Sequence, residues 1–214
     1  MLAAAPNTTP VSLHLSQVLA QARDEGSRAA VMEVSSQAIA FGRVEGLEFD
    51  AGLFLNLSQD HLDYHRTMEA YFTEKKKLFL RLNESPKRNK VAVLNADAPE
   101  SNAIAWELDQ SVRPVWFGMK ASRGYFASAV KHTLAGSWFY ITAPNGVIYK
   151  ARINLWGGHN VANALAAFAC AVETGVAPET ALAGLEALAC VPGRMQRVNM
   201  GQNFHVFVDF AHTP

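Results

Sequence analysis

The sequence predicts an α/β fold: a mostly parallel sheet flanked by helices, with a small antiparallel β subdomain. Three observations carry this. Continuous apolar runs alternate with stretches of helical period as far as residue 118. From Gly124 the apolar period shortens to two. Beyond Gly157-Gly158 the chain becomes Ala-rich over two helical lengths. Strands and helices in alternation are the signature of a Rossmann-like sheet with right-handed crossovers.

Taken in order, Leu13 to Asp24 has helical spacing, with Leu15, Val18, Leu19 and Ala22 on one side, and Gly26 stops it. Residues 29–34, Ala-Ala-Val-Met-Glu-Val, form an apolar run with one charge, as expected of a strand buried on both faces. Further strands are expected at 51–57, 91–95 and 115–118, with helices at 68–82 and 101–110 between them. Short antiparallel strands follow at 125–131, 138–142 and 147–153, the last two joined by an Asn145-Gly146 turn. A long helix is expected at 161–173, ended by Gly175, and another from Pro178 to about 189. Residues 204–209 read as a final strand, and the chain then stops as if cut at a linker.

With 214 residues the chain can bury one sizeable core. Lys plus Arg equals Asp plus Glu at 19 each, so overall charge gives no footprint for nucleic acid or an anionic membrane. No apolar run is long enough to span a bilayer, and the first residues lack the basic and apolar regions of a secretory signal. Cys170 and Cys190 sit in Ala-rich stretches and read as small buried hydrophobes in a reducing cytoplasm.

Chemistry-bearing groups concentrate in the first half. Glu33 ends the 29–34 run, at the sheet edge where parallel α/β folds bind ligands, or else is simply solvated there. Ser35 and Ser36 could touch a ligand or cap the helix that follows. Asp60-His61-Leu62-Asp63-Tyr64-His65 offers carboxylates and imidazole suited to magnesium or manganese; the bland alternative is a polar loop. A zinc site on His61 and His65 lacks further ligands at metal spacing. On a helical wheel Met68, Tyr71, Phe72, Phe79 and Leu82 fall within about 60° of Lys75, whereas Lys76 and Lys77 turn to solvent. A partly buried Lys75 beside two cations would have a lowered pKa, and a neutral amine can take up carbon dioxide as a carbamate; a snorkelling lysine is the alternative. Gly157-Gly158-His159-Asn160, with Asn163 a turn later, suits a plain N-cap or a helix start against a base or phosphate. Arg194 and Asp209 are single charges at element boundaries. No Gly-x-x-x-x-Gly-Lys-Ser/Thr phosphate loop occurs in the 214 residues.

Together these segments resemble the Mur ligase family, and within it the ligases that add the third peptide residue of peptidoglycan. The resemblance rests on Asn7-Thr8-Thr9-Pro10, Met32-Glu33-Val34-Ser35-Ser36, the stretch from Phe54 to His65, Glu74 to Phe79, Gly158 to Ala164, Pro192-Gly193-Arg194 and Val208 to Pro214, which occur in family order. It implies that Thr8, Thr9, Ser35 and Arg43 contact a UDP-muramoyl-dipeptide. It implies that Glu33 and His61 bind magnesium and that Lys75, carboxylated, helps hold a second ion, these three being the catalytic set. Asn160 and Asn163 would approach the adenine of ATP, Arg194 its phosphates and Asp209 its ribose. The implied reaction activates a substrate carboxylate as an acyl phosphate, which an amino acid amine then attacks.

Three parts of the family pattern are missing: the phosphate loop expected before Asn7, the amino-terminal domain that grips uridine, and the carboxy-terminal domain that selects the amino acid. Phe41 also stands where some members have a polar contact. Residues 1–214 are therefore expected to be a central ATPase domain, inactive alone, from a monomeric cytoplasmic enzyme that uses no nucleic acid and no membrane insertion. Whether diaminopimelate or lysine is the third residue is not written in these positions. Three other readings stand beside it: a folylpolyglutamate- or cyanophycin-synthetase-like ligase, a non-catalytic substrate- and metal-binding remnant, and a small zinc hydrolase on His61 and His65.

Overall fold

The computed structural model describes residues 8–120, 123–133 and 135–210. They pack as two compact units. The first holds the chain up to Gly52 with Asn56–Ala92 and Asn102–Arg113; the second holds Leu53–Leu55, Val93–Ser101 and the chain from Pro114 onward.

In the first unit, α1 (Ser12–Asp24) and α2 (Ser36–Ala40) enclose a core of Leu15, Ile39 and Val44. Met32, Val34, Leu47, Phe49 and Leu78 pack against it. The run 29–34 is not the doubly buried strand expected. It is extended but joins no sheet, and Val31 is fully exposed. Met32 and Val34 face the core while Glu33, between them, faces out, as a period of two requires. An extended segment becomes a strand only with a neighbour to share its ladder.

After the one-turn α3 (Leu62–His65) comes α4 (Met68–Glu84), whose first turn is capped by Thr67: the hydroxyl accepts from the Ala70 amide at 3.1 Å. Tyr71, Phe79 and Leu82 are its buried stripe. Lys77 is exposed as expected, but Lys76 is not turned to solvent. Its amine pairs with Glu107 at 2.6 Å and lies over the Phe72 ring, because the chain after α5 (Glu100–Trp106) covers that side of α4. α5 ends at Trp106, four residues before the expected boundary.

Strands β1 (Ala51–Phe54), β2 (Lys90–Asn95), β3 (Val112–Gly118), β4 (Tyr125–Thr133), β5 (Gly136–Thr142) and β6 (Ile148–Ile153) form one six-stranded sheet, in that spatial order, which takes in the antiparallel strands expected as a small subdomain. Five successive residues of β2 are buried, and four of them, Val91 to Leu94, are the apolar run seen in the sequence. β1 stops at Phe54, short of the expected residue 57, and Leu55 and Asn56 beyond it are exposed.

The antiparallel strands are not a separate sheet. β3 and β4 run parallel, yet residues 119–124 are too few for a crossover, which takes a dozen or more. The registers resolve this: among the described residues only Phe117↔Tyr125 and Gly118↔Phe126 are paired, so β4 starts beside the last two residues of β3 and runs on past its end. Gly124, at φ +75°, makes the join. From there β4, β5 and β6 form an antiparallel meander. Its tip is the expected Asn145-Gly146 turn, closed by the Gly146 amide donating to the Ala143 carbonyl at 2.9 Å.

α6 (Gly158–Glu173) covers the inner face of the meander with Phe168, which meets the rings of Tyr125 and Tyr149 at 6.0 and 5.5 Å. α7 (Pro178–Ala187) follows, with Pro178 in its first turn as expected. The last apolar segment is a strand only over β8 (Val206–Val208), paired antiparallel with β7 (Gln196–Val198), which sequence patterning did not show. Cys170 is half-buried and Cys190 exposed, so the expectation of two buried thiols fails for Cys190: α7 ends before reaching it.

Candidate functional site

In the first unit four expected substrate or metal residues meet in one hydrogen-bonded knot. Thr9 is fully buried. Its hydroxyl donates to the Glu33 carbonyl at 2.9 Å and accepts from the Ser35 amide at 3.3 Å, while its own carbonyl accepts from Arg43 at 3.0 Å. Thr9 thereby fixes the backbone on both sides of the outward-facing Glu33. Ser35 does cap a helix, accepting from the Ala38 amide at 3.1 Å. Thr8 is exposed beside this knot. Asn7 and residues 211–214, part of the family resemblance, lie outside the described residues.

His61 sits in the left-handed region at φ 53°, and Arg66, at the other end of α3, at φ 67°. Non-glycine residues held there cost about 1–3 kcal/mol and cluster at functional sites. His61 is held by Asp60, whose carboxylate accepts from the His61 amide at 2.8 Å and stands 3.6 Å from its ring. One turn on, His65 is buried, with Nε2 2.8 Å from the Ser36 hydroxyl.

Rings connect the pieces. Arg43 lies over Phe41, Phe41 meets Tyr64 edge-on at 5.3 Å, and Tyr64 meets His65 at 4.8 Å. His65 stacks on Tyr71 at 5.1 Å, and the Lys75 amine lies 5.0 Å from the same Tyr71 ring. His61 meets Tyr71 edge-on at 5.8 Å. Tyr71 is thus the hub joining both histidines to Lys75. Its place one turn before Lys75 was visible in the helical period, but its contacts with the histidines come from the fold. Ser36, Asp60 and Tyr64 are singled out by the sequence, and the fold supplies their partners: His65 for Ser36, His61 for Asp60, and Phe41 and His65 for Tyr64.

Burial pushes the Lys75 amine below the ordinary lysine value, and the carboxylates of Glu33 and Asp60 pull it back up. Of the two causes expected from sequence, burial is the one at work; Lys76 and Lys77 are instead paired with Glu107 and Glu74. Burial likewise pushes Tyr71 up, aided by Asp60 and Glu33. Burial lowers His65, against the pull of Glu74. A histidine kept neutral in the fold contributes stability that is complete above its unfolded value of 6.5 and lost as pH falls toward its folded value. Urea midpoints should therefore drop on acidification from pH 7.5 to 5.5, and drop less in His65→Asn. An equal drop in both would assign the effect elsewhere.

Among the described residues no three His, Cys, Asp or Glu side chains stand together at metal-holding distance. Glu33 and Asp60 nonetheless act on Lys75, and His61 meets the same Tyr71 ring, so carboxylate and imidazole, the donor chemistry of a hard divalent cation, share this region.

The residues expected around a nucleotide are in the second unit. α6 begins earlier than expected, with Gly157 as its N-cap, so Asn160 is inside the helix. It is buried and its amide donates to the Trp156 carbonyl at 2.8 Å, while Asn163 is exposed. Asp209 accepts from the Met195 amide at 2.6 Å, and the Phe210 amide donates to the Gly193 carbonyl at 2.8 Å. These bonds bring the exposed Arg194 turn against the end of β8, so Arg194 and Asp209 share a neighbourhood.

A sheet-and-helix scaffold that gathers a desolvated lysine, carboxylates and a strained histidine belongs to the class of α/β enzyme domains. A family model of the Mur ligase middle domain matches residues 1–171, and the chain belongs to the Mur ligase family. It is 42% identical over 212 residues to a UDP-N-acetylmuramoyl-L-alanyl-D-glutamate–2,6-diaminopimelate ligase of Geobacillus kaustophilus, covering 98% of this chain and 43% of that one. The like-named protein of Listeria monocytogenes is 41% identical over 210 residues, with 97% and 42% covered. A solved structure of a ligase of the same name superposes with a TM-score of 0.83 at 30% identity, over 97% of this chain and 43% of the other. The chain thus spans less than half the length of these relatives.

Proposed function

We propose that this chain is the central, ATP-handling part of a ligase that joins 2,6-diaminopimelate to UDP-N-acetylmuramoyl-L-alanyl-D-glutamate in peptidoglycan synthesis. The observation that carries the reading is the setting of Lys75: desolvated, under the pull of Glu33 and Asp60, and in contact with the ring that meets His61. The names of the relatives supply the substrates, and favour diaminopimelate over lysine. In this reaction the substrate carboxylate takes the terminal phosphoryl group of ATP and ADP leaves. The amine then attacks the acyl carbon, phosphate departs, and an amide forms as the amine gives up a proton.

On this reading Glu33, His61 and a carbamate on Lys75 hold magnesium, which when bound neutralises charge on the transferring group. Thr9 and Arg43 fix the loop that presents Glu33, and Ser35, Thr8 and Arg43 line the approach for the muramoyl peptide. Asn160 and Asn163 face adenine, Arg194 the phosphates and Asp209 the ribose. The enzyme is a cytoplasmic monomer; among the described residues no helix is long and apolar enough to cross a membrane.

An assay of the complete protein tests this. It should release ADP only when the muramoyl dipeptide is present, and use diaminopimelate in preference to lysine. ADP release indifferent to the dipeptide would overturn the proposal. Residues 1–214 contain no phosphate loop, so on their own they should give no product above a no-enzyme control.

A further inference from the structure

The outer face of the β4–β5–β6 meander serves none of these roles. Its strand registers arrange it in three rows: Lys131, Trp138 and Arg152; Ser128, Tyr140 and Lys150; Phe126, Thr142 and Ile148. Directly opposed residues share a face. The opposite face is a buried layer that includes Ala127, Phe139, Ile141, Ala151 and Ile153. The outer rows therefore present three cations and no carboxylate. Trp138 and Tyr140 are 38% and 43% exposed. Lys150 and Arg152 stand 5.0 and 5.1 Å from the Trp138 ring centre, and Glu186 of α7 reaches Arg152 at the margin, 3.2 Å away.

The rows are graded along the strands. The third adjoins the hairpin tip, where residues 143–149 carry no charge and Val147 and Ile148 are 44% and 63% exposed. At about 3.3 Å per residue, Lys150 lies roughly 7 Å and Arg152 roughly 13 Å up the strand from Ile148. Aliphatic side chains thus come first, then Tyr140 with Lys150, then Trp138 with Lys131 and Arg152. That order matches the layers of a lipid interface: acyl boundary, headgroup level, phosphate charge. A single-stranded nucleic acid would engage the rings and cations but leave Val147 and Ile148 idle.

We propose that this face docks the protein peripherally on an anionic lipid surface, hairpin tip first. The intact chain should co-sediment with vesicles of phosphatidylcholine containing roughly one-third phosphatidylglycerol and not with phosphatidylcholine alone, and added salt should weaken binding. Lys131→Gln with Lys150→Gln should weaken it roughly thirtyfold. Val147→Ser with Ile148→Ser should weaken it as well, and both positions are exposed enough to leave the circular dichroism spectrum unchanged. Equal binding to neutral vesicles, no binding to either kind, or indifference to both variant pairs would overturn the proposal. So would binding to oligouridylate alone that is lost in Tyr140→Ala.

Discussion

Lys75→Ala in the complete protein should lower kcat by roughly two to three orders of magnitude, the range seen when one preorganised charge-stabilising group is lost. The side chain is desolvated and in contact with Tyr71, and on the proposed reading alanine removes the carbamate oxygens that Glu33 and Asp60, on other segments, do not replace. Lys77→Ala should be nearly silent. Lys76→Ala should remove only a partly exposed ion pair with Glu107, worth about 1 kcal/mol or less to stability. A short carboxylic acid such as propionate should restore part of the Lys75→Ala rate, because it can supply the missing oxygens, whereas bicarbonate should not. Steady-state rates for the three variants decide the matter. Equal losses in all three, or full activity in Lys75→Ala, would remove Lys75 from the mechanism.

Gly124→Ala should destabilise the fold by about 3 kcal/mol or more, an effect large enough to unfold a marginal protein. Gly124 has φ +75°, which an L side chain rarely adopts, and a Cβ there would collide with the Trp116 carbonyl, a backbone atom that cannot swing away. Gly146→Ala, at a similar φ but with open space around it, is the control and should cost about 1–2 kcal/mol. Denaturant midpoints at constant slope would measure both. A Gly124→Ala midpoint no lower than that of Gly146→Ala would show that the junction yields.

Elements whose burial is decided locally were legible in the sequence. β2 reads as an apolar run because both its faces are covered, and the β5–β6 hairpin because Asn145-Gly146 fits only a tight turn. The 29–34 segment misled because an apolar run does not state whether a neighbouring strand is there to pair with it. β7 escaped because Gln196–Val198 is short and only half-buried, so no alternation marks it. In the site, Lys75 was legible from the wheel and Glu33 from its place in an apolar run. Thr9 was read as a substrate contact, and its bonds to Glu33 and Ser35 span 24 and 26 residues, a separation no local pattern reports. The left-handed backbone of His61 is equally silent in sequence, since even a residue enriched at positive φ adopts it at few of its positions.

The seam between β3 and β4 has a consequence for how the molecule breathes. Among the described residues only two pairs join the strands, whereas β4 pairs with β5 and β5 with β6 over most of their length. Contacts close in sequence re-form quickly after opening, and short seams part at low free-energy cost. The meander should therefore behave as one cooperative exchange unit, its amides losing deuterium protection together and before those of β2. What restrains it is less the ladder than the clasp of α6, through Phe168 against Tyr125 and Tyr149 and through Glu173, which accepts a hydrogen bond from the Tyr125 hydroxyl at 2.7 Å.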